Sequence, residues 1–347
     1  MLNTIASPER TLMFREAAES GDVVRRQRTT NAATLTALGG QLRDTPPRAL
    51  VTLGRGSSDN AATFARYLVE RRLGVLTGSA APSVASVYET APDMRDVLVL
   101  AISQSGRSPD LLTAVEKARD RGARIVALVN DETSPLAAQA DTCLPLAAGP
   151  ERSVAATKSF IATLSAILDF IAAWADDQKL AAALDSLPDL LDRAWNLDWA
   201  AAVPALKNAH DLYVVGRGHG FGIAQEAALK IKETCGFHAE AFSAAEIRHG
   251  PMSLVGNGFP VLLFGQQDAT LDSVAELARE FAGRGAELMR AGVPGDTGIS
   301  LPTIDTDPLI APVAAILSFY RMANALAVAR GHDPDHPPHL AKVTETV

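Results

Sequence analysis

The chain has 347 residues, 47% of them hydrophobic and 21% charged, with 40 acidic side chains against 32 basic ones and a net charge of −8. This apolar content supports a sizeable core and excludes wholesale disorder, and the length suggests two domains or one large one. The acidic balance is opposite to that of a surface that tracks nucleic-acid phosphates, so no nucleic-acid partner is expected.

Residues 1–35 read as a leading helical segment. It is polar and charged, with no apolar run that could serve as a signal peptide. Leu50–Leu53 reads as a strand. It leads into Gly54-Arg55-Gly56-Ser57-Ser58, then an Ala-rich helical pattern to Leu68. Val97–Ile102 and Ile125–Val129 are continuous apolar runs, the pattern of parallel strands buried on both faces. Ser159–Trp174 is the most apolar stretch. Asp169 and several hydroxyl residues interrupt it, and it reads as too short and too polar to span a bilayer. No membrane partner is expected, and a cytoplasmic location is the default. Asp176–Ala202 reads as a helical linker carrying Pro188. Leu212–Leu229 repeats the earlier order of strand, Gly216-Arg217-Gly218 and Ala-rich helix. The tail 331–347 is rich in Pro and His and lacks apolar periodicity.

Gly54 and Gly216 stand 162 residues apart, and so do Ser103 and Gly265, each followed by Gln. Two pairs at one offset point to two copies of one α/β unit. Apolar strands alternating with helices imply right-handed crossovers and parallel sheets. The expected domains are 36–175 and 204–330, joined by a linker at 176–203. Cys143 and Cys235 form neither a zinc pattern nor a disulfide pattern and read as small core residues in a reduced compartment.

Ser103-Gln104-Ser105-Gly106-Arg107-Ser108 follows a strong strand and precedes a helix. The first N–H groups of a helix are unpaired and favour an anion. Three serine hydroxyls and Gln104 add neutral donors, and Gly106 lets the backbone bend close. Ser57 and Ser58 stand at the equivalent end of another strand, where open α/β sheets bind ligands. Together these loops read as a phosphate cradle, although Ser108 alone reads as an ordinary helix cap. The second copy has Gly265-Gln266-Gln267-Asp268 instead, so only the first is expected to keep the anion site. Neither Gly-x-Gly is completed to a dinucleotide fingerprint, and no Walker A loop is present.

Glu226, Lys230 and Glu233 recur at four and three residues, on one face of the second Ala-rich helix. A solvated ion pair is the bland alternative. His249-Gly250-Pro251 is a rigid turn with an imidazole at its edge. Lys342 lies in a tail whose Leu340 and Val343 could dock it.

These motifs, with Ser153-Val154-Ala155-Ala156-Thr157-Lys158 and Leu340-Ala341-Lys342, resemble the double sugar isomerase (SIS) domain family. That family comprises the isomerase half of glucosamine-6-phosphate synthase and the stand-alone deaminases related to it. The resemblance covers nearly the whole chain from about residue 30. It implies two tandem SIS domains, each a parallel-sheet αβα sandwich of flavodoxin-like type. It also implies that Gly56, Ser57, Ser58, Ser103, Gln104, Ser105 and Ser108 contact phosphate and sugar hydroxyls, and that Val154 and Ala156 wall the sugar site. Glu233 would move a proton between C1 and C2. Lys342 would form a Schiff base with the open-chain ketose. His249 would assist ring opening from the neighbouring subunit of a homodimer, and Glu226 and Lys230 would support these steps. Neither a metal nor a redox cofactor is implied.

The resemblance is imperfect at both ends. The synthase has an N-terminal cysteine nucleophile for glutamine, whereas this sequence begins Met1-Leu2, so glutamine hydrolysis is not expected. Pro338 replaces the family's Arg before Leu-Ala-Lys, and the tail is more similar to the deaminase branch. The expected reaction is glucosamine 6-phosphate and water to fructose 6-phosphate and ammonia. Two alternatives are an enzyme for galactosamine phosphate or a sugar–amino-acid adduct, and a non-catalytic sugar-phosphate sensor.

Overall fold

The computed structural model describes residues 7–342. The first apolar runs form β1 (Ala49–Leu53), β2 (Thr77–Ser79), β3 (Val97–Ser103), β4 (Arg124–Val129) and β5 (Thr142–Pro145). They make one parallel sheet in the order β2-β1-β3-β4-β5. Every residue of β3 is buried, which explains its unbroken apolar sequence: Val99 sits between Val51 of β1 and Ile125 of β4.

The later runs form β6 (Tyr213–Gly216), β7 (Glu240–Ser243), β8 (Pro260–Phe264), β9 (Glu287–Ala291) and β10 (Ile299–Leu301). They make a second parallel sheet in the order β10-β9-β8-β6-β7. Matching β6 with β1 and β8 with β3 makes the two orders identical. The chain is therefore α/β, with two tandem units of flavodoxin-like strand order, as the repeated glycines imply.

Helix Ser57–Leu73 buries Ala61, Phe64, Ala65 and Leu68 at helical spacing and ends at Gly74 in the left-handed conformation. It packs on helix Lys158–Ala175. By length and composition Lys158–Ala175 could cross a membrane, contrary to the expectation from sequence, and so could Ala311–Ala329. Buried inside the protein are 83% and 72% of their windows, respectively, so both serve as core helices. Each fully buried Ile or Leu there contributes roughly 1.5–3 kcal/mol. Asp169 is tolerated in this setting because Arg28 lies 3.1 Å away. Burial still pushes its carboxyl up to about 6, against the pull of Arg28.

The described chain forms two compact units, and neither is one continuous stretch. One holds the first sheet: Asp22–Glu151, Lys158–Ser186 and the described part of Ala341–Val347. The other holds the second sheet: the described part of Met1–Gly21, Arg152–Thr157 and Leu187–Leu340. Helix Ser20–Asp44 runs through position 35, where the sequence suggests a boundary. Cys235 is buried and bonded to Thr234, and burial pushes its thiol up to about 12. Cys143 is half-buried on β5, and burial raises its thiol as well.

Candidate functional site

In the first sheet β1 and β3 are neighbours, and the strand order reverses between them. Ligands of open α/β sheets bind at this crevice, beyond the carboxyl ends of the strands. The loop after β1 turns at Gly56, whose φ of +54° suits glycine. Ser58, Asp59 and Asn60 donate their N–H groups back to Arg55 and Gly56, at 3.0, 3.0 and 3.1 Å. These N–H groups are thus engaged locally. Ser57 and Ser58, both half-buried, are left as the loop's hydroxyl contribution.

In the loop after β3, the Ser103 hydroxyl accepts from Gly106 N–H at 3.0 Å and Ser105 accepts from Arg107 N–H at 3.4 Å. A hydroxyl that accepts still has its own proton to donate. Gln104 is half-buried in the same loop. Ser108 stands at the N-cap of helix Pro109–Asp120, yet its side chain makes no capping bond. The ordinary-cap reading of Ser108 therefore fails. Arg55 pairs with the buried carboxylate of Asp110 at 2.8 Å, which ties the two loops together. Arg107 pairs with Asp131 at 2.7 Å.

Gly106 has a φ of +64°, and an added Cβ would lie 2.2 Å from the Ser134 hydroxyl. Gly106→Ala is expected to cost about 1–3 kcal/mol of stability. It should also weaken sugar-phosphate binding; urea unfolding and a binding titration measure the two effects.

The matching crevice of the second sheet is closed by its own chain. Gln266 donates to the Arg217 carbonyl at 2.8 Å and to the Thr270 hydroxyl at 2.9 Å. Gln266 stands 162 residues after Gln104, at the matching position of the second copy.

The acid–amine cluster lies in the second unit. Glu226 and Lys230 stand on helix Gly220–Lys230, with side chains 0% and 1% exposed and 3.4 Å apart. Lys230 also binds Glu233, which is 22% exposed. Glu233 lies in a π-helical turn, Ile231–Cys235, where the sequence suggests one continuous helical face. Such turns carry an extra residue and recur at functional sites. Burial alone would depress the Lys230 ammonium, but the Glu226 and Glu233 carboxylates outweigh it and hold it above the usual lysine value. The bland reading of a solvated ion pair fails, since two of the three groups are out of water.

His249 sits on an exposed turn beyond β7, held by its N–H to the Glu246 carbonyl at 2.9 Å. Val154 and Ala156 are half-exposed on a bent loop segment, alternating with buried Ser153, Ala155 and Thr157. Glu16 accepts from Arg152 N–H and Ser153 N–H at 2.6 and 3.1 Å. Val154 N–H donates to the Asp335 carbonyl at 3.2 Å. The Asp335 carboxylate in turn accepts from Leu12 and Met13 N–H at 2.6 and 2.7 Å. Lys342 belongs to the first unit, where its ammonium lies 3.3 Å from Glu151. Glu151 also accepts from the Ser159 hydroxyl at 2.6 Å.

The predicted residues thus fall into two groups. The serine loops and Lys342 belong with the first sheet. Glu226, Lys230, Glu233, His249, Val154 and Ala156 belong with the second. Sequence reasoning missed Glu151, Glu16, Asp335 and Tyr320, whose hydroxyl donates to Glu226 at 3.0 Å. Glu151, just before the Ser153–Lys158 motif, was open to notice as an acid between apolar stretches.

The SIS domain model matches residues 45–173 and 205–290. The isomerizing glutamine–fructose-6-phosphate aminotransferase of Aeropyrum pernix is 37% identical over 313 residues, which are 84% of this chain and 50% of that protein. Its namesake from Symbiobacterium thermophilum is 33% identical over 317 residues, 85% of this chain and 51% of that one. The chain spans about half the length of these curated relatives. Among solved structures, a provisionally named phosphosugar isomerase from Silicibacter pomeroyi DSS-3 is 41% identical with a TM-score of 0.90, over 94% of this chain and 100% of that one. The C-terminal domain of glucosamine-fructose-6-phosphate aminotransferase from Francisella tularensis is 25% identical with a TM-score of 0.85, over 94% and 98%.

Proposed function

Because the chain belongs to the SIS domain family, we propose that it is a phosphosugar isomerase acting as an amino-sugar-phosphate deaminase. The reaction is glucosamine 6-phosphate and water to fructose 6-phosphate and ammonia. The serine loops hold the phosphate, and this remote binding positions the reacting carbons. His249 opens the ring, a task suited to an imidazole, whose two nitrogens can donate and accept a proton. Glu233 takes the proton from C2 and returns it to C1, leaving an imine at C2. Water adds there and ammonia departs, which gives the ketone. Lys342 is the amine that engages the open-chain ketose.

The observation that carries this reading is the buried Glu226–Lys230 pair bonded to a partly exposed Glu233. One carboxylate is thereby presented and held by groups that water does not reach. The names of the similar proteins, which join fructose 6-phosphate with isomerisation, support the choice of sugar. The exposure of His249 supports its use across a homodimer.

The test is to offer purified protein glucosamine 6-phosphate without glutamine. Ammonia and fructose 6-phosphate should appear in equal amounts; if neither forms, the reading is wrong.

A further inference from the structure

We propose that Tyr320 is a positioning residue for Glu233, acting through Glu226 and Lys230. This rests on the reading of Glu233 as the proton carrier. Tyr320 lies on helix Ala311–Ala329 and is fully buried. A buried phenol needs a polar partner, and here its hydroxyl donates to Glu226 Oε1 at 3.0 Å. The same oxygen lies 3.4 Å from Lys230 Nζ. Lys230 also binds Glu233, so one ammonium serves two carboxylates.

The two carboxylates are not equivalent. Glu233 is partly exposed and can draw on solvent, while Glu226 is wholly buried and cannot. A buried carboxylate must find its donors within the protein. What Tyr320 gives to Glu226, Lys230 need not give. The ammonium can then divide itself and hold Glu233 in one rotamer. Without the phenol, Glu226 draws Lys230 inward and Glu233 loses the contact that aims it. Aim matters because one base must serve two adjacent carbons. Its neighbours Phe319, Ile316 and Ala323 on the helix are buried and apolar, and a phenylalanine ring would fill the same space. The hydroxyl is what tyrosine adds.

Steady-state kinetics on glucosamine 6-phosphate would compare the wild type with Tyr320→Phe, Glu226→Gln and the double variant, with thermal melts as a check on folding. Tyr320→Phe should lower kcat about tenfold, the scale of one hydrogen bond to a buried charge, with KM little changed. In the Glu226→Gln background it should change kcat by less than about twofold, because the route runs through the Glu226 anion. If Tyr320→Phe alone fails to fold, the double variant, which lacks the buried charge, should fold and match Glu226→Gln. A wild-type kcat in Tyr320→Phe, a loss confined to KM, or a tenfold loss that persists beside Glu226→Gln would overturn the inference alone. A wild type that turns over no glucosamine 6-phosphate would overturn the reading of the reaction, and this inference with it.

Discussion

Glu233→Gln is expected to lower kcat about a thousandfold, the upper range of what a positioned acid–base group contributes. Glutamine has the same shape, and its amide oxygen can still accept from Lys230. It cannot take a proton from carbon. The change therefore removes one property and little else, and the melting temperature should move only slightly. Sugar-phosphate affinity should survive, because the serine loops belong to the other compact unit. Turnover and a binding titration on the same preparation separate the two effects. A variant that keeps its turnover would remove Glu233 from the mechanism.

Lys230→Met is the change with the largest expected cost in stability, about 3–5 kcal/mol. It leaves the Glu226 carboxylate at 0% exposure without its ammonium. Methionine fills most of the volume, so the loss is one of charge and not of packing. Adding Glu226→Gln should recover most of it, since the buried charge then disappears as well. Urea unfolding of the single and double variants measures both terms. The same cluster sets an alkaline limit. Its carboxylates hold the folded-state value of Lys230 above the unfolded one, against burial. Folding therefore binds this proton more tightly. Its stabilisation is full below the ordinary lysine range and fades as pH climbs through the raised value.

The duplication was legible because it is written in local chemistry. Apolar strands that end in Gly-Arg-Gly recur at one offset, and buried parallel strands must be apolar along their whole length. The serine loop was legible for the same reason: Ser103, Gln104 and Ser105 are adjacent. The cluster of Glu226, Lys230 and Glu233 could be read from helical spacing, but its π turn could not, because no residue in Ile231–Cys235 demands one. Bonds between distant parts of the chain were silent. Glu151 and Lys342 are 191 residues apart, and Leu12 and Asp335 are 323 apart. Such pairs leave no periodicity. Ser108 shows a different limit: its position was right for a cap, yet its side chain makes no capping bond.

The widened turn that carries Glu233 is also the last turn of its helix. Gly236, at a φ of +68°, ends it in the left-handed conformation. An extra residue in the middle of a long helix would rotate everything beyond it by about 100° and misplace the buried face. Here no helical turn follows, so there is no downstream register to disturb. The misfit is confined to the few residues around the carboxylate. A one-residue deletion in Ile231–Cys235 would therefore act within this turn, on Glu233 and on the buried Thr234 and Cys235 beside it.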